Sequence, residues 1–514
     1  MNGLKDVSDL NGTDKISSEV CVKLTELGCC GMCSLRYYGE TSAEYFRDFH
    51  KSIVDKKYST QVLSETENPL KRPANNACIA CLGMLQPPMC DKVIDKIVEA
   101  VSKEDYDNPT FNVAFTLPVS FYLRAHALLV LLADSYPDHI RTHLPLGLVT
   151  VGVKDAWKYV FTDQLAKRIN KTFSNESDLK IQINIQYEDD HAEIECLLDM
   201  YPNKFNEQKI KAKKLRHLKG PTLLYSRKTV ESVLTLEDRD RFARYYPIPP
   251  AVPTHAAVCN NVFFEHNCIY VAGRYNKLVR GLPQTAWLVQ DQRKLETSVH
   301  ELIGESVQAV TRAQGNKLIA SGREDVDVRM LGSGRPFVVE LMGPRHVMLS
   351  DQEIQELEIR INTHGAGRIA VHNLKIVPKS SLELLKKGEE LKRKTYVAYC
   401  AARALDRARL EDVTKKAPVT LQQKTPVRVL HRRPIATRAK VVHWMEVSDI
   451  KHSQENDTTY FKLTLNTQAG TYIKEFIHGD FGRTKPSLGD ILGGVSADCL
   501  ALDVQSIELD WPPA

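Results

Sequence analysis

The sequence predicts an α/β (α+β) protein of more than one domain, and three observations carry that reading. Two-residue and helical periodicities interleave along the chain. Residues 179–187 alternate apolar and polar as a half-buried strand does, whereas Val93, Ile94, Ile97, Val98 and Val101 fall on one helical face. Two Ser-x-x-Glu starts, Ser298 with Glu301 and Ser350 with Glu353, head apolar stripes set between strand-like runs, as helices crossing a sheet-centred core would be. Residues 245–253 carry four prolines, which favour an extended link. The expected organisation is a flexible tail (1–20), a first region (21–246), a Pro-rich linker (247–253) and a second domain (254–514).

At 514 residues the chain has ample length for real cores, and 43% hydrophobic with 26% charged residues is ordinary globular composition. The net charge of +5 is mild, so any footprint for a polyanion must come from local patches. Residues 1–20 show no apolar signal core, and the longest apolar run, around 127–133, is too short for a bilayer. These features predict a soluble protein, cytoplasmic and/or nuclear, with no membrane partner. Twelve cysteines in a reducing compartment then argue for metal ligation rather than a disulfide framework.

Cys29-Cys-Gly-Met-Cys33 is followed by Cys78-Ile-Ala-Cys81. Two Cys-x-x-Cys knuckles across a long insert have the spacing of a tetrahedral thiolate site, each turn supplying two sulfurs. Cys30, Cys33, Cys78 and Cys81 are the expected ligands of a structural Zn²⁺, with the register between Cys29 and Cys30 open. Buried free thiols or a redox pair are the alternatives.

Residues 91–170 read mainly as helix. The run 209–219 is the densest basic stretch of this half, either a solvated helix face or a strip for phosphates. Beyond the linker, an apolar strand leads into Gly273-Arg-Tyr-Asn-Lys277, and 282–287 follows. Arg274, Tyr275 and Lys277 offer cations and an aromatic face suited to RNA, against a plain reading as a packed strand end.

The helix headed by Ser298 then delivers Ile319-Ala-Ser-Gly-Arg-Glu-Asp-Val-Asp-Val-Arg-Met-Leu-Gly-Ser-Gly-Arg-Pro-Phe337. If 325–330 is extended, Asp325, Asp327 and Arg329 share one face and Glu324, Val326, Val328 and Met330 the other. Such a face suits charged chemistry, and equally a solvated edge strand laced by ion pairs. Downstream lie Lys394-Thr-Tyr396, with Tyr399 near it, and a basic hairpin or loop over 410–440 that includes Arg428 and Arg433. Paired strands follow at 440–444 and 460–465, then Gly470-Thr-Tyr-Ile-Lys474 and a turn at 479–483 whose Arg483 is directed at phosphate.

Gly322-Arg-Glu-Asp325 resembles the Gly-Arg-Thr-Asp signature of pseudouridine synthases. The longer string from Gly322 to Phe337 is similar to the tenth class of tRNA pseudouridine synthases (Pus-ten), as are 269–287 and 468–487. The resemblance implies a catalytic domain on a mixed, mostly antiparallel sheet with flanking helices, beside a zinc-containing THUMP-like RNA-binding region.

It implies conversion of uridine to pseudouridine at positions 54 and/or 55 of the TΨC arm, with no organic cofactor. Asp325 would be the essential carboxylate, by covalent addition or a glycal-type route. Tyr396 would lie against the base, Lys474 would pair with the aspartate, and Ile473 would pack on the base. Arg323 would enter the stack vacated by the uridine. The expected partners are tRNA and other structured RNAs, and the chain is expected to be a monomer. A non-catalytic RNA-processing factor, or a metal-dependent nucleotide-sugar enzyme using Asp325-Val-Asp327, are the other classes.

Overall fold

The computed structural model describes residues 12–48, 77–144, 149–205, 227–403, 405, 407–431 and 433–513. It forms two compact units, Met1–Glu265 and His266–Ala514. The basic run at 209–219 lies outside the described residues.

In the first unit a helix, Gly12–Glu26, runs through much of the stretch expected to be a loose tail. Its sheet has the order Thr172–Phe173, Thr110–Thr116, Leu179–Gln186, Val258–His266. Residues 91–170 are mainly helix, as expected, and the strand Thr110–Thr116 is set among those helices. Its inward residues Phe111, Val113 and Phe115 are buried, and the parallel register sets Val113 beside Ile181 and Phe115 beside Ile183. The alternation was present but short, between strong helical patterns. The helices Pro87–Glu104 and Val153–Ile169 contribute Ile94, Ile97, Trp157 and Leu165 to the same core.

The apolar run at 127–133 lies in the helix Ser120–Ser135, which is buried on two faces. Leu128, Leu129 and Leu132 join one core cluster, while Leu123, Ala127 and Val130 join another. Among the described residues no helix is long and apolar enough to cross a membrane. The strand Val258–His266 continues this sheet, and the Ala257 N–H donates to the Leu82 carbonyl (2.8 Å). The unit therefore runs on beyond the Pro-rich stretch.

The second unit is built on one ten-stranded sheet. Its order is Ile369–Val377, Ile269–Lys277, Arg329–Met342, Ala497–Ile507, Lys394–Arg403, Thr458–Thr467, Thr437–Ser453, Val419–Lys424, Thr484–Lys485, with Gly315–Ala320 pairing Arg329–Met342 from the side. Neighbouring strands are antiparallel except at one short parallel contact, Asp503 with Arg329 and Val504 with Met330. This is the mixed, mostly antiparallel α/β fold expected.

Helices Val299–Thr311 and Asp351–Gly365 start where expected. Ser298 accepts from the Glu301 N–H, and Ser350 with Glu353 completes a reciprocal capping box. Leu302, Ile303, Leu357 and Ile361 pack one side of the sheet's first half, and a second cluster around Phe461, Leu463, Ile473 and Phe476 fills its other half.

Candidate active site

The acidic stretch is not a strand. Residues 323–328 form a loop with a turn at 326–327, closed by the Val328 N–H donating to the Asp325 carbonyl (3.1 Å), and the strand begins only at Arg329. The shared strand face expected for Asp325, Asp327 and Arg329 is therefore replaced by a division of labour between buried and exposed charges.

The buried part sits beneath the loop. Glu324 and Arg335 form an ion pair (2.7 Å) with both side chains out of solvent. The Tyr275 hydroxyl donates to Glu324 (3.0 Å), Gln284 donates to the Tyr275 oxygen (2.9 Å) and to the Gly322 carbonyl (3.1 Å), and Arg335 donates to the Ser321 carbonyl (2.7 Å). Gly322 has φ +87°, which strains any residue with a Cβ, and a Cβ there would stand 2.9 Å from Lys394 Nζ and 3.0 Å from Arg335 Nη1, so those two cationic ends would have to shift.

Lys277 is wholly buried, its ammonium shared among the carbonyls of Leu282 (2.8 Å), Asp325 (3.0 Å) and Val326 (3.1 Å). Burial pushes its pKa down to about 8, with Glu324 opposing the shift. Arg274, also buried, donates to the carbonyls of Ser333 (2.6 Å), Leu509 (2.8 Å) and Ile507 (3.2 Å).

The expectation that Arg274, Tyr275 and Lys277 touch RNA is thus corrected. Each is buried, and their polar groups are committed to protein partners that would be left unsatisfied if the side chain turned outward. The Gly273–Lys277 motif is the clamp of the acidic loop and of the irregular stretch 332–334 of the strand Arg329–Met342, where the pairing register shifts. Gly332 belongs to that clamp, since a Cβ at its φ of +54° would collide with the Gln505 carbonyl.

The exposed part presents the chemistry. Asp325 Oδ2 lies 3.0 Å from Arg428 Nη1 and 3.8 Å from Lys474 Nζ. Lys474 also donates to both oxygens of Asp327, at 2.9 and 2.6 Å. Burial would raise the Asp327 carboxyl, but the Lys474 hydrogen bond and charge outweigh it and hold it below the usual carboxylate range. Asp325 is 36% and Asp327 66% exposed. Arg428 reaches Asp325 while its Nε donates to the buried Glu475 (2.6 Å). The expected Lys474–Asp325 pair is therefore present at longer range, and the nearer cation is Arg428. No periodicity or spacing links Arg428 to Asp325, and the sequence placed it only within a basic loop.

Lys474 stands in the helix Ile473–His478, whose first residue turns inward (Ile473, 4% exposed) while the next turns toward the carboxylates. Gln423 fixes that helix start by accepting from the Tyr472 N–H (2.9 Å) and donating to its carbonyl (3.0 Å). Tyr396, half-buried, packs on the same core cluster as Ile473, and burial raises its phenol to about 12 against the opposing charge of Arg335. Its phenol stays protonated near neutral pH. Tyr399 is exposed on the other face of the strand, and Arg323 is exposed on the loop. Arg483, expected to face phosphate, instead donates to the Thr425 carbonyl (2.6 and 3.2 Å) and lies 3.6 Å from Asp480, bracing the loop that carries Arg428.

In the first unit, Cys30, Cys33, Cys78 and Cys81 are buried with their sulfurs all within 4.8 Å of one another. The Cys30–Cys81 separation of 3.8 Å matches the edge, about 3.8 Å, of a tetrahedron with metal–sulfur bonds of about 2.3 Å. Buried Arg36 donates to Cys33 Sγ (3.4 Å), and the Cys30 N–H points at Cys78 Sγ (3.2 Å), as suits sulfurs carrying negative charge. The donor set fits a thiophilic metal ion.

Comparison with known proteins gives one answer along the chain. Residues 270–508 match the family described as Pus10, C-terminal, and 78–264 match Eukaryotic Pus10, N-terminal. The human "tRNA pseudouridine synthase Pus10" is 36% identical over 85% of this chain and 79% of its own length. The Drosophila melanogaster "Putative tRNA pseudouridine synthase Pus10" is 32% identical over 95% of this chain and 96% of its own. An archaeal relative of the same name from Thermofilum pendens is 40% identical over 47% of this chain and 52% of its own. With relatives of this identity and coverage, the chain belongs to the Pus10 family.

Proposed function

We propose that this chain is a tRNA pseudouridine synthase acting on uridine 54 and/or 55 of the TΨC arm, with Asp325 as its essential carboxylate. The observation that carries the reading is the Asp325 side chain, solvent-accessible and faced by Arg428 and Lys474 on a loop clamped from below. In the reaction the N1–C1′ bond breaks, the base turns, and a C5–C1′ bond forms. The C5 proton is released and N1 gains one. Asp325 serves the C1′ centre, with Arg428 and Lys474 facing its carboxylate. Lys474, held between Asp325 and Asp327, orients the carboxylates. Tyr396 lies against the base with a neutral hydroxyl, and Arg323 occupies the gap left by the extruded uridine.

The four-cysteine centre is proposed to hold one structural Zn²⁺, since four thiolates leave no open position for catalysis. The first unit is proposed to grip tRNA. A groove of about 960 Å³ in it, lined by Lys158 and Lys167 with Tyr159 and Phe173, and also by Asp155 and Asp163, is the surface proposed for that grip.

The test is tritium release from C5-labelled uridine in tRNA, run beside filter binding. Asp325→Ala should abolish release and keep tRNA affinity within a few-fold, while Asp327→Ala retains turnover. Arg428→Ala and Lys474→Ala should each slow the reaction. Normal release by Asp325→Ala with a dead Asp327→Ala would overturn the assignment, and tRNA binding with no pseudouridine formed would favour a scaffold.

A further inference from the structure

Immediately after the helix that carries Lys474, four consecutive residues adopt left-handed backbone: Gly479 (φ +79°), Asp480 (+47°), Phe481 (+56°) and Gly482 (+79°). Left-handed φ is unremarkable for glycine and costly for a residue with a Cβ. Asp480 has a local reason to be there. Its carboxylate is buried and accepts the Val427 N–H (3.2 Å), and its own N–H donates to His478 Nδ1 (3.1 Å). Phe481 has none. Its ring is 96% exposed, so it contributes nothing to the core, and a third glycine would hold the turn with less strain. Neither packing nor backbone preference accounts for an aromatic at this apex.

Its surroundings indicate what does. The turn is tied through Asp480 to Val427, whose neighbour Arg428 touches Asp325. The loop on which it rests exposes Ile435 (83%) together with the cation Arg433. Lys424 and Lys485 are exposed on the two paired strand ends flanking the turn. The patch therefore combines a rigidly presented ring with several cations. That combination fits a polyanion with flat, apolar faces: a single-stranded nucleic acid with an unstacked base.

We propose that Phe481 is a stacking platform for an unpaired RNA base beside the Asp325 site. The inference rests on the RNA-modifying function proposed above and assigns a position that the shared motifs did not. The strained turn acts as a mount. Anchored at Asp480 and flanked by two glycines, it holds the ring in solvent before RNA arrives, so little ordering is required on binding.

Full-length Phe481→Gly, Phe481→Leu and Phe481→Trp would be titrated with unmodified tRNA, and their melting temperatures recorded. Phe481→Gly relieves the strained backbone and should melt no lower than wild type while binding tRNA roughly five- to a hundredfold more weakly, the range of one base–aromatic stack. Phe481→Leu should fall with it, because bulk without a π face does not stack. Phe481→Trp should bind like wild type and show tRNA-dependent quenching of its added fluorescence. Wild-type affinity in Phe481→Leu with weak binding by Phe481→Gly would overturn the stacking role and leave a plain apolar contact with the RNA. Wild-type affinity in both Phe481→Gly and Phe481→Leu would remove any role in RNA binding. If wild-type protein bound no tRNA at all, the function proposed above would fall as well, an outcome distinct from equal binding by all four proteins.

Discussion

The cysteine centre of the first unit and the acidic loop of the second both gather groups of like charge, yet they do opposite things with solvent. All four sulfurs of the first are buried and turned toward one point, with a buried guanidinium and a backbone N–H aimed at them. Nothing in that arrangement leaves room for a substrate. The acidic loop instead divides its charges. Glu324 and Arg335 are buried together, whereas Asp325 and Asp327, one and three residues beyond Glu324, stay in water with Lys474 and Arg428. A closed set of ligands stabilises a fold. A buried pair holding up exposed carboxylates positions a reaction without isolating it from solvent.

The comparison breaks most visibly at the closed centre. Purified protein should contain one zinc per chain by elemental analysis. Replacing Cys78 and Cys81 together by serine should remove it. Structural zinc stabilises small domains by about 10 kcal/mol or more, so the first unit should lose its cooperative unfolding transition rather than merely shift it. Circular dichroism with and without a chelator measures this. Zinc well below one per chain in the unmodified protein would remove the centre from one side of the comparison.

A smaller but still large effect is expected at the buried half of the acidic loop. Glu324→Gln leaves Arg335 charged and without its counter-ion, and breaking a buried pair in this way costs about 3–5 kcal/mol. Arg407 and Glu411 pair at 3.1 Å on an exposed helix, and removing either should cost about 1 kcal/mol or less, because water screens the charges. Urea denaturation separates these two magnitudes. Turnover should fall in Glu324→Gln even below its melting temperature, since Tyr275 and Arg335 would no longer fix the peptides on either side of Gly322. Equal destabilisation by the two substitutions would mean that Glu324 and Arg335 are not the support assigned to them.

Much of this was legible in the sequence because the signals were local or repeated. The helix starts at Ser298 and Ser350, the alternation over Leu179–Gln186 and the two cysteine knuckles depend on spacings of two to four residues, and the structure keeps each of them. The acidic loop was misread for a related reason. Its alternating charges imitate a strand, but two buried groups, Lys277 and Gln284, take carbonyls from Gly322, Asp325 and Val326 and hold them out of any ladder. Nor could the sequence show that Arg274 and Lys277 point inward. A cation next to a tyrosine looks the same on paper whether its partners are phosphates or carbonyls. Arg428 was visible only as one of several basic residues, since its pairing with Asp325 is made by the tertiary fold.

The smallest effect sharpens the comparison at a single sulfur. Cys29 adjoins Cys30 in sequence and is equally buried, and spacing alone allowed either to be the first ligand. The structure brings Cys30, not Cys29, into the group of four whose sulfurs lie within ligand range of one another. Cys29→Ala should therefore retain one zinc per chain and lose only the burial of a small apolar side chain, about 1 kcal/mol. Cys30→Ala removes a ligand at the same depth and should lose most of the metal. The readout is zinc content after dialysis against a weak chelator, with thermal melting alongside. If Cys29→Ala loses zinc while Cys30→Ala keeps it, the register is the other one. If both lose it, the knuckle tolerates no change of side chain, and the contrast between a closed centre and an adaptable loop becomes steeper still.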